Sequence, residues 1–187
     1  MTRPRTLVLD VLDPQTVTNA PFEMLWAGGS PEAAVRLRED LKARRMAWAF
    51  LVPRAVGTAQ ETPDSKRMTQ IRRRYMLLGQ TLDSMRVWDI RCAVRALKVL
   101  PEFRASALSL RARGEMGVNT AYAALFEPAV SRLELDQLPK SHMQGPDYLN
   151  VLKVVDIPQV LEMLGSRGSG CLPRPWSRLC SGSRRAR

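Results

Sequence analysis

The sequence predicts an α/β fold, in which a parallel sheet of about four strands is flanked by helices. Short apolar runs of strand length recur along the chain, and amphipathic helical patterns separate them. Continuous apolar strands that alternate with such helices are typical of a parallel sheet covered on both faces. With 187 residues, 45% of them hydrophobic, the chain is long enough for one domain with a buried core.

Two strands and the helix between them open the predicted domain. Thr6–Leu12 is an apolar run of strand length that a polar turn ends. Ser30 supplies a capping hydroxyl and Pro31 a proline at the first helical position, so a helix is expected to about Arg44. Ala47–Val52 is the second predicted strand.

Two helices fill the segment between the second and third strands. After a polar loop at 54–67, helical periodicity begins at about Thr69, and a second helix at Asp83–Leu100 ends before Pro101. Ala107–Arg111 is the third strand. The residues expected on the inner helix faces are Ile71, Tyr75, Leu78, Leu82, Val87, Ile90, Val94 and Leu97.

The last part of the domain contains one strand among helical pieces. A short helix ends near Phe126, and Val130–Leu138 alternates weakly as a fourth strand. Residues 146–153 and 156–164 have helical patterns. The predicted domain therefore covers residues 1–164.

The positive charge is concentrated at the C-terminus. The chain carries a formal charge of +11, and residues 165–187 hold six arginines and no acid. This segment has no periodicity and is predicted to be a disordered basic tail. Nucleic-acid binding through the tail and Arg72–Arg74 is one alternative function. Three successive helical residues point about 100° apart, so a solvated face is the favoured interpretation of Arg72–Arg74.

The residue inventory argues against several classes of site. Three cysteines without a C-x-x-C pair and one histidine do not supply a zinc site, and no metal or cofactor is expected. The apolar runs are too short to span a membrane, and the N-terminus has no signal-peptide pattern. The sequence indicates no particular compartment.

Six long blocks are distinctive: Ala47–Arg54, Gln70–Arg91, Arg113–Met116, Tyr122–Pro128, His142–Leu152 and Asp156–Gln159. Together they resemble bacterial α/β-hydrolases of the acetyl-xylan-esterase and dienelactone-hydrolase type. The resemblance covers roughly residues 6–164 and is strongest to the C-terminal, hydrolase-like half of long planctomycete-type proteins. It implies a hydrolase fold and, as a possible ligand, an acylated carbohydrate.

The resemblance locates a nucleophile position. In α/β-hydrolases a strand runs into G-x-S-x-G, a sharp turn that lifts the serine above the sheet. Laid on residues 112–116, that motif places Ala112, Gly114 and Met116 at its three defining positions. The resemblance therefore implies a degenerate elbow without a nucleophilic serine. The helix that follows still offers its N-terminal dipole to an anion.

Three residues are weak candidates for catalysis. His142 is the single histidine, and Asp147 follows it across a Gly-Pro loop. His142 could serve as a general base, but a loop histidine bonded to backbone is favoured. Glu115 could be an acid or base at the old nucleophile site, although an exposed first-turn carboxylate is favoured. Cys92 is expected to be a small buried thiol.

Local ion pairs are expected on the helix at Asp83–Leu100. Asp83 and Asp89 lie close in sequence to Arg86 and Arg91, and the first pair has the i,i+3 spacing of helix neighbours. Pairs of this kind contribute only tenths of a kcal/mol when they are exposed.

The hydrolase fold also predicts further strands, with an acid and a histidine, after Val130–Leu138. No such strands are recognisable, and the composition of the tail fits out-of-frame reading of GC-rich DNA. The chain is therefore expected to be truncated or frame-shifted. A sheet cut in this way has open edges, so we expect association with another hydrolase domain or chain, or poor solubility.

These observations favour a hydrolase-family domain that no longer cleaves esters and acts as a scaffold or carbohydrate-ester-binding half. A residual carboxylic-ester hydrolase built on His142 is the second hypothesis. Nucleic-acid binding is the third.

Overall fold

A computed structural model describes residues 3–14, 17, 31–56, 65–166 and 170–171. It confirms the predicted α/β class: a parallel sheet is flanked by helices. The strands are β1 (Thr6–Val11), β2 (Met46–Leu51), β3 (Ala107–Arg113), β4 (Val130–Asp136) and the two-residue β5 (Gly170–Cys171). The α-helices are α1 (Pro31–Ala43), α2 (Ser65–Leu77), α3 (Leu82–Val99), α4 (Gly114–Phe126) and α5 (Ile157–Ser166).

The strands lie in the order β2-β1-β3-β4-β5, and every pair is parallel. Val8 of β1 lies opposite Trp48 of β2 and Ser109 of β3. Right-handed crossovers place α1 on one face and α3, α4 and α5 on the other. The strand order reverses between β1 and β3, which is the position where doubly wound sheets bind ligands, at the carboxyl ends of the strands.

The two faces of the sheet differ in polarity. On the face covered by α3, α4 and α5, the strands contribute the apolar core residues Leu7, Leu9, Val11, Leu108, Leu110, Ala112, Leu133 and Leu135. The alternate positions of the three central strands include Asp10, Ser109, Arg111 and Glu134. The expectation of continuous apolar strands is therefore wrong for β3 and β4, whose polar residues take alternate positions, whereas β1 is continuously apolar from Leu7 to Leu9.

The packing of α3 follows from its sequence. The Thr81 hydroxyl accepts from the backbone N–H of Ser84, and the Ser84 hydroxyl accepts from the backbone N–H of Thr81. This reciprocal cap fixes where the helix begins. Ile90 and Val94 are buried as predicted. In the turn after α2, however, Leu78 is exposed, so the predicted inner face of that helix does not extend to this residue.

Several predicted boundaries need correction. Helix α2 begins at Ser65 rather than Thr69, because its first polar turn carries no apolar period. The predicted helix at 146–153 is a 3₁₀ turn at Val151–Lys153, and Asn150 before it has a left-handed φ of 56°. Strand β4 ends at Asp136, two residues earlier than predicted, and Gln137 has a positive φ.

Part of the predicted tail is structured. Helix α5 continues through Ser166, and Gly170–Cys171 pairs with β4. A strand of two residues has no periodicity to detect, so only its pairing reveals it. The rest of the predicted disordered tail, 167–169 and 172–187, lies outside the described residues.

Candidate functional site

A cleft of about 510 Å³ opens above the carboxyl ends of the strands. Helix α2 forms one wall, and the first turns of α3 and α4 meet the loop at 142–147 on the other side. Its lining residues are Met68, Thr69, Ile71, Arg72, Tyr75, Leu82, Asp83, Glu115, His142, Met143, Gln144, Gly145, Pro146 and Asp147. Apolar walls with a few convergent polar groups are typical of small-molecule sites.

The turn from β3 into α4 brings the three elbow positions to this edge. β3 ends at Arg113 and α4 begins at the next residue, Gly114, whose φ is +57°. Only glycine adopts this conformation without strain. A Cβ on Gly114 would meet nothing within 4 Å. Ala112 and Met116 are buried on either side, so they anchor the turn in the core.

Glu115 places its carboxyl group beside the cleft. It is an exposed residue in the first turn of α4, but a Cβ on Gly145 would overlap its Oε1 atom, so the carboxyl lies against that loop. Partial burial and the neighbouring Asp83 carboxylate raise the pKa of Glu115, and Arg86 partly opposes this. Within the described residues, the structure gives this carboxyl neither a hydrogen bond nor an ion pair.

His142 is buried, and both of its ring nitrogens are occupied. Nδ1 lies 3.0 Å from the carbonyl oxygen of Pro146, which can only accept, so Nδ1 carries a proton. Nε2 lies 2.9 Å from the Tyr122 hydroxyl, and in the tautomer with the proton on Nδ1 this hydroxyl donates to Nε2. Burial raises the pKa of Tyr122 to about 12, so its proton is retained. The favoured interpretation, a loop histidine bonded to backbone, matches this geometry.

Asp147 does not contact the His142 ring. Its Oδ2 atom lies 2.7 Å from Arg72 Nη2 and 2.8 Å from Arg72 Nε, a two-pronged contact across the cleft. Both side chains keep substantial exposure to solvent. The backbone N–H of Asp147 donates to Asp83 Oδ2 at 3.0 Å. Asp147 therefore bridges α2 and the floor of the site, instead of orienting His142.

A buried polar network forms that floor. Asp83 Oδ1 accepts from Arg86 Nη1 and from Asn119 Nδ2, each at 3.1 Å. The Tyr148 hydroxyl donates to Asn119 Oδ1. The Tyr148 ring also packs at 4.8 Å from the Tyr122 ring, measured between centroids. The network thus joins α3 and α4 to the loop that carries His142.

Two further contacts hold the ends of the network. Arg86 donates from Nε to the carbonyl of Arg54 and from Nη2 to that of Ala55, each at 3.2 Å. Asp156 Oδ1 accepts from the backbone N–H groups of His142 and Ile157, both at 2.8 Å. A hydrogen bond from the Ser141 side chain, followed by these backbone hydrogen bonds, lowers the pKa of Asp156. Asp156 therefore caps α5 and also ties the loop that carries His142 to the start of that helix.

Only part of this network is predictable from the sequence. The spacing of Asp83 and Arg86 predicts a local pair, and because both residues are buried, the small contribution of an exposed pair does not apply to it. Asn119 is fully buried inside the apolar segment of α4. A polar residue in such a segment is the one signal that could have indicated a buried hydrogen bond. Tyr148 carried no signal, because its partner is distant in sequence.

The other predicted ion pairs also need correction. Asp89 pairs with Arg54 at 2.5 Å, and Arg91 pairs with Glu127 at 2.8 Å. Segments distant in sequence supply both partners, so spacing along α3 does not reveal them. Cys92 is exposed, and the prediction of a buried thiol is wrong.

The remaining predictions concern metals, membranes and basic residues. Among the described residues there is no group of three or more His, Cys, Asp or Glu side chains that could hold a metal ion. No helix in the same part of the chain is long and apolar enough to cross a membrane. Arg72, Arg73 and Arg74 are exposed on α2, as the solvated-face interpretation predicts.

The nucleophile types available in the cleft follow from its described lining. The described lining of the cleft contains no serine or cysteine, and both ring nitrogens of His142 are engaged. The lining does provide apolar walls, three carboxyl groups, of which Glu115 has no ion pair among the described residues, and a hydrogen-bonded floor. Comparisons of the chain with protein-family models, curated proteins and solved structures found no match.

Proposed function

We propose that this chain is an α/β-hydrolase-like domain that binds a ligand in its cleft without cleaving esters. One observation carries the proposal: the strand-to-helix turn between β3 and α4 has Gly114 where a nucleophile would stand. The resemblance to acetyl-xylan esterases supplies the hydrolase family. The parallel sheet, with its cleft at the carboxyl ends of the strands, is compatible with that family.

The environment of His142 supports a binding role. A general base needs a free acceptor nitrogen within reach of the proton it removes. Here the acceptor nitrogen Nε2 receives the Tyr122 hydroxyl, and Nδ1 donates to Pro146. Asp147, the expected orienting acid, is held by Arg72. The histidine thus acts as a structural tie between α4 and the loop at 142–147.

The proposal is tested with a short-chain chromogenic acetate ester and full-length protein whose folding is verified by circular dichroism. We expect hydrolysis by the wild type to equal that by His142→Ala and that of the buffer. Ester cleavage above background that His142→Ala abolishes would overturn the proposal and favour a residual hydrolase built on His142.

Gly114→Ser sharpens this test. The added side chain has space, but a serine at a φ of +57° costs about 1 kcal/mol of stability. We expect this variant to stay inactive, because the serine would have no free base. Gly165→Ser is the matched control, since Gly165 also has open space around a Cβ but no positive φ.

We also propose that another hydrolase domain or chain completes the sheet at β2. Within the described residues, β2 pairs with β1 alone, and its sequence, M-A-W-A-F-L, carries no charge or proline. Such an edge is a template for strand addition. Gel filtration over a range of concentrations is expected to show association. A sharp, concentration-independent monomer would contradict this proposal.

A further inference from the structure

The charges around the cleft are unequally matched. Asp147 lies against Arg72, and Asp83 lies against Arg86. Glu115 is the third acid of the cleft, and no basic side chain of the described residues forms an ion pair with it. Among the described residues, Glu115 is therefore the cleft carboxyl without an ion pair, and only the more distant Arg86 attracts it, in a chain whose formal charge is +11.

The position of Glu115 makes this charge available to a ligand. The absence of a side chain at Gly145 leaves room for the carboxyl at the cleft wall. Partial burial raises the pKa of Glu115, which means that the ionised carboxylate is less well solvated here than in water. A ligand that donates a charged hydrogen bond would replace the missing solvation.

The rest of the lining indicates the body of such a ligand. Met68, Ile71, Tyr75, Leu82 and Met143 supply apolar and aromatic surface. An aromatic ring attracts a cation placed over its face, and apolar walls favour a hydrocarbon body.

We propose that the cleft binds an organic cation, an ammonium or guanidinium group on an apolar body, with Glu115 as its counter-ion. This inference rests on the proposed binding role of the cleft and names its ligand class. It differs from the neutral acylated carbohydrate that the hydrolase resemblance implies. It also differs from an anion, the ligand that the N-terminal dipole of α4 would attract. The Glu115 carboxylate already lies in the first turn of that helix, so a second negative charge there would be repelled.

Three probes of one shape test the charge preference. We would titrate full-length protein with 2-phenylethylammonium, 2-phenylethanol and phenylacetate and follow backbone amide shifts. The ammonium is expected to bind about fivefold tighter than the alcohol, as one partly exposed charged contact provides, and phenylacetate weakest. Rising salt is expected to reduce this preference.

Variants assign the preference to Glu115. Glu115→Gln keeps the size and hydrogen-bonding capacity of the side chain and is expected to bring the ammonium and the alcohol within about twofold of each other. Glu102→Gln, an exposed acid in the turn after α3, is the control and is expected to keep the wild-type preference. Equal binding of ammonium and alcohol by the wild type, or a preference that survives in Glu115→Gln, would overturn the inference.

The two proposals fail in different ways. If acetylated xylobiose binds and the ammonium does not, the cation inference is wrong while a non-catalytic binding domain stands. If the same preparation hydrolyses the acetate ester through His142, the proposed function is wrong, and the ammonium titration still decides the ligand class.

Discussion

Two buried aspartates, Asp83 and Asp10, face a buried arginine in different ways. Asp83 receives three hydrogen bonds, from Arg86, from Asn119 and from the backbone of Asp147. Asp10 lies on the other face of the sheet, and its Oδ2 atom is 4.0 Å from Arg111 Nη1. Both pairs are nearly inaccessible to solvent, so burial does not distinguish them.

The difference shows what a buried carboxylate requires. Hydrogen-bond donors around Asp83 replace the water that burial removes. At Asp10, burial raises the pKa to about 6, and the attraction of Arg111 only partly offsets this. Beneath the cleft, donors therefore surround the buried carboxyl of Asp83. On the opposite face of the sheet, burial disfavours the ionised form of Asp10.

The largest expected effect comes from removing the well-bonded acid. Asp83→Ala leaves the Arg86 guanidinium buried without its carboxylate and removes the acceptor used by Asn119. We expect the free energy of unfolding to fall by about 3–5 kcal/mol. Urea denaturation measures this change.

Asp89→Ala is the control for this variant. It removes a more exposed ion pair with Arg54, and a loss of about 1 kcal/mol or less is expected. If Asp83→Ala costs no more than Asp89→Ala, the claim that the network stabilises the floor of the cleft is wrong.

The second prediction concerns pH. Because the pKa of Asp10 rises from 3.8 to about 6 on folding, the folded protein binds more protons between these values than the unfolded chain. The stability of the wild type should therefore fall, relative to Asp10→Asn, by about 2 kcal/mol as pH rises from 4 to 7.

Denaturation of both proteins at several pH values checks the prediction, and the constant cost of the substitution cancels in the comparison. Asp40→Asn, at an exposed position of α1, is the control and should follow the wild-type curve. Parallel curves for wild type and Asp10→Asn would contradict the assignment.

A smaller effect is expected within the bonded network. Tyr148→Phe keeps the ring packed against Tyr122 but removes the hydroxyl that donates to Asn119. One buried acceptor is left unsatisfied, which should cost about 1–2 kcal/mol. Thermal denaturation measures the loss. An unchanged midpoint would mean that water replaces the hydroxyl.

The smallest effect is expected where solvent screens the charges. Arg72→Ala breaks the contact with Asp147, which is exposed on both sides, and should change stability by about 0.5 kcal/mol or less. Urea denaturation in low and high salt is the measurement. A loss comparable to that of Asp83→Ala would show that this contact, and not the buried network, holds the site together.

Much of the fold was predictable from local patterns. Thr6–Val11 and Met46–Leu51 are strands, as their short apolar runs between turn residues predict. Helix α3 was predicted within one residue at each end, since its apolar period runs to the residues before Pro101, and the structure adds the Thr81 cap. The start of α2 and the pairing of Gly170–Cys171 were missed, because neither carries an apolar period.

The candidate site was less predictable. Gly114 was singled out through a resemblance, and the structure gives it a positive φ. His142 and Asp147 were singled out as neighbours in sequence, yet their partners are Tyr122, Pro146 and Arg72. Spacing along one segment does not reveal which other segment packs against it.

The sequence by itself determined the class of the fold and the chemistry available at its turns, because capping, proline placement and apolar periodicity act over a few residues. Only the tertiary structure decided which charges are paired. Asp83 and Asp10 are both buried acids, but packing gives Asp83 three donors and places Asp10 4.0 Å from Arg111. Among the described residues Glu115 has no such partner, and the loop that faces its carboxyl presents Gly145.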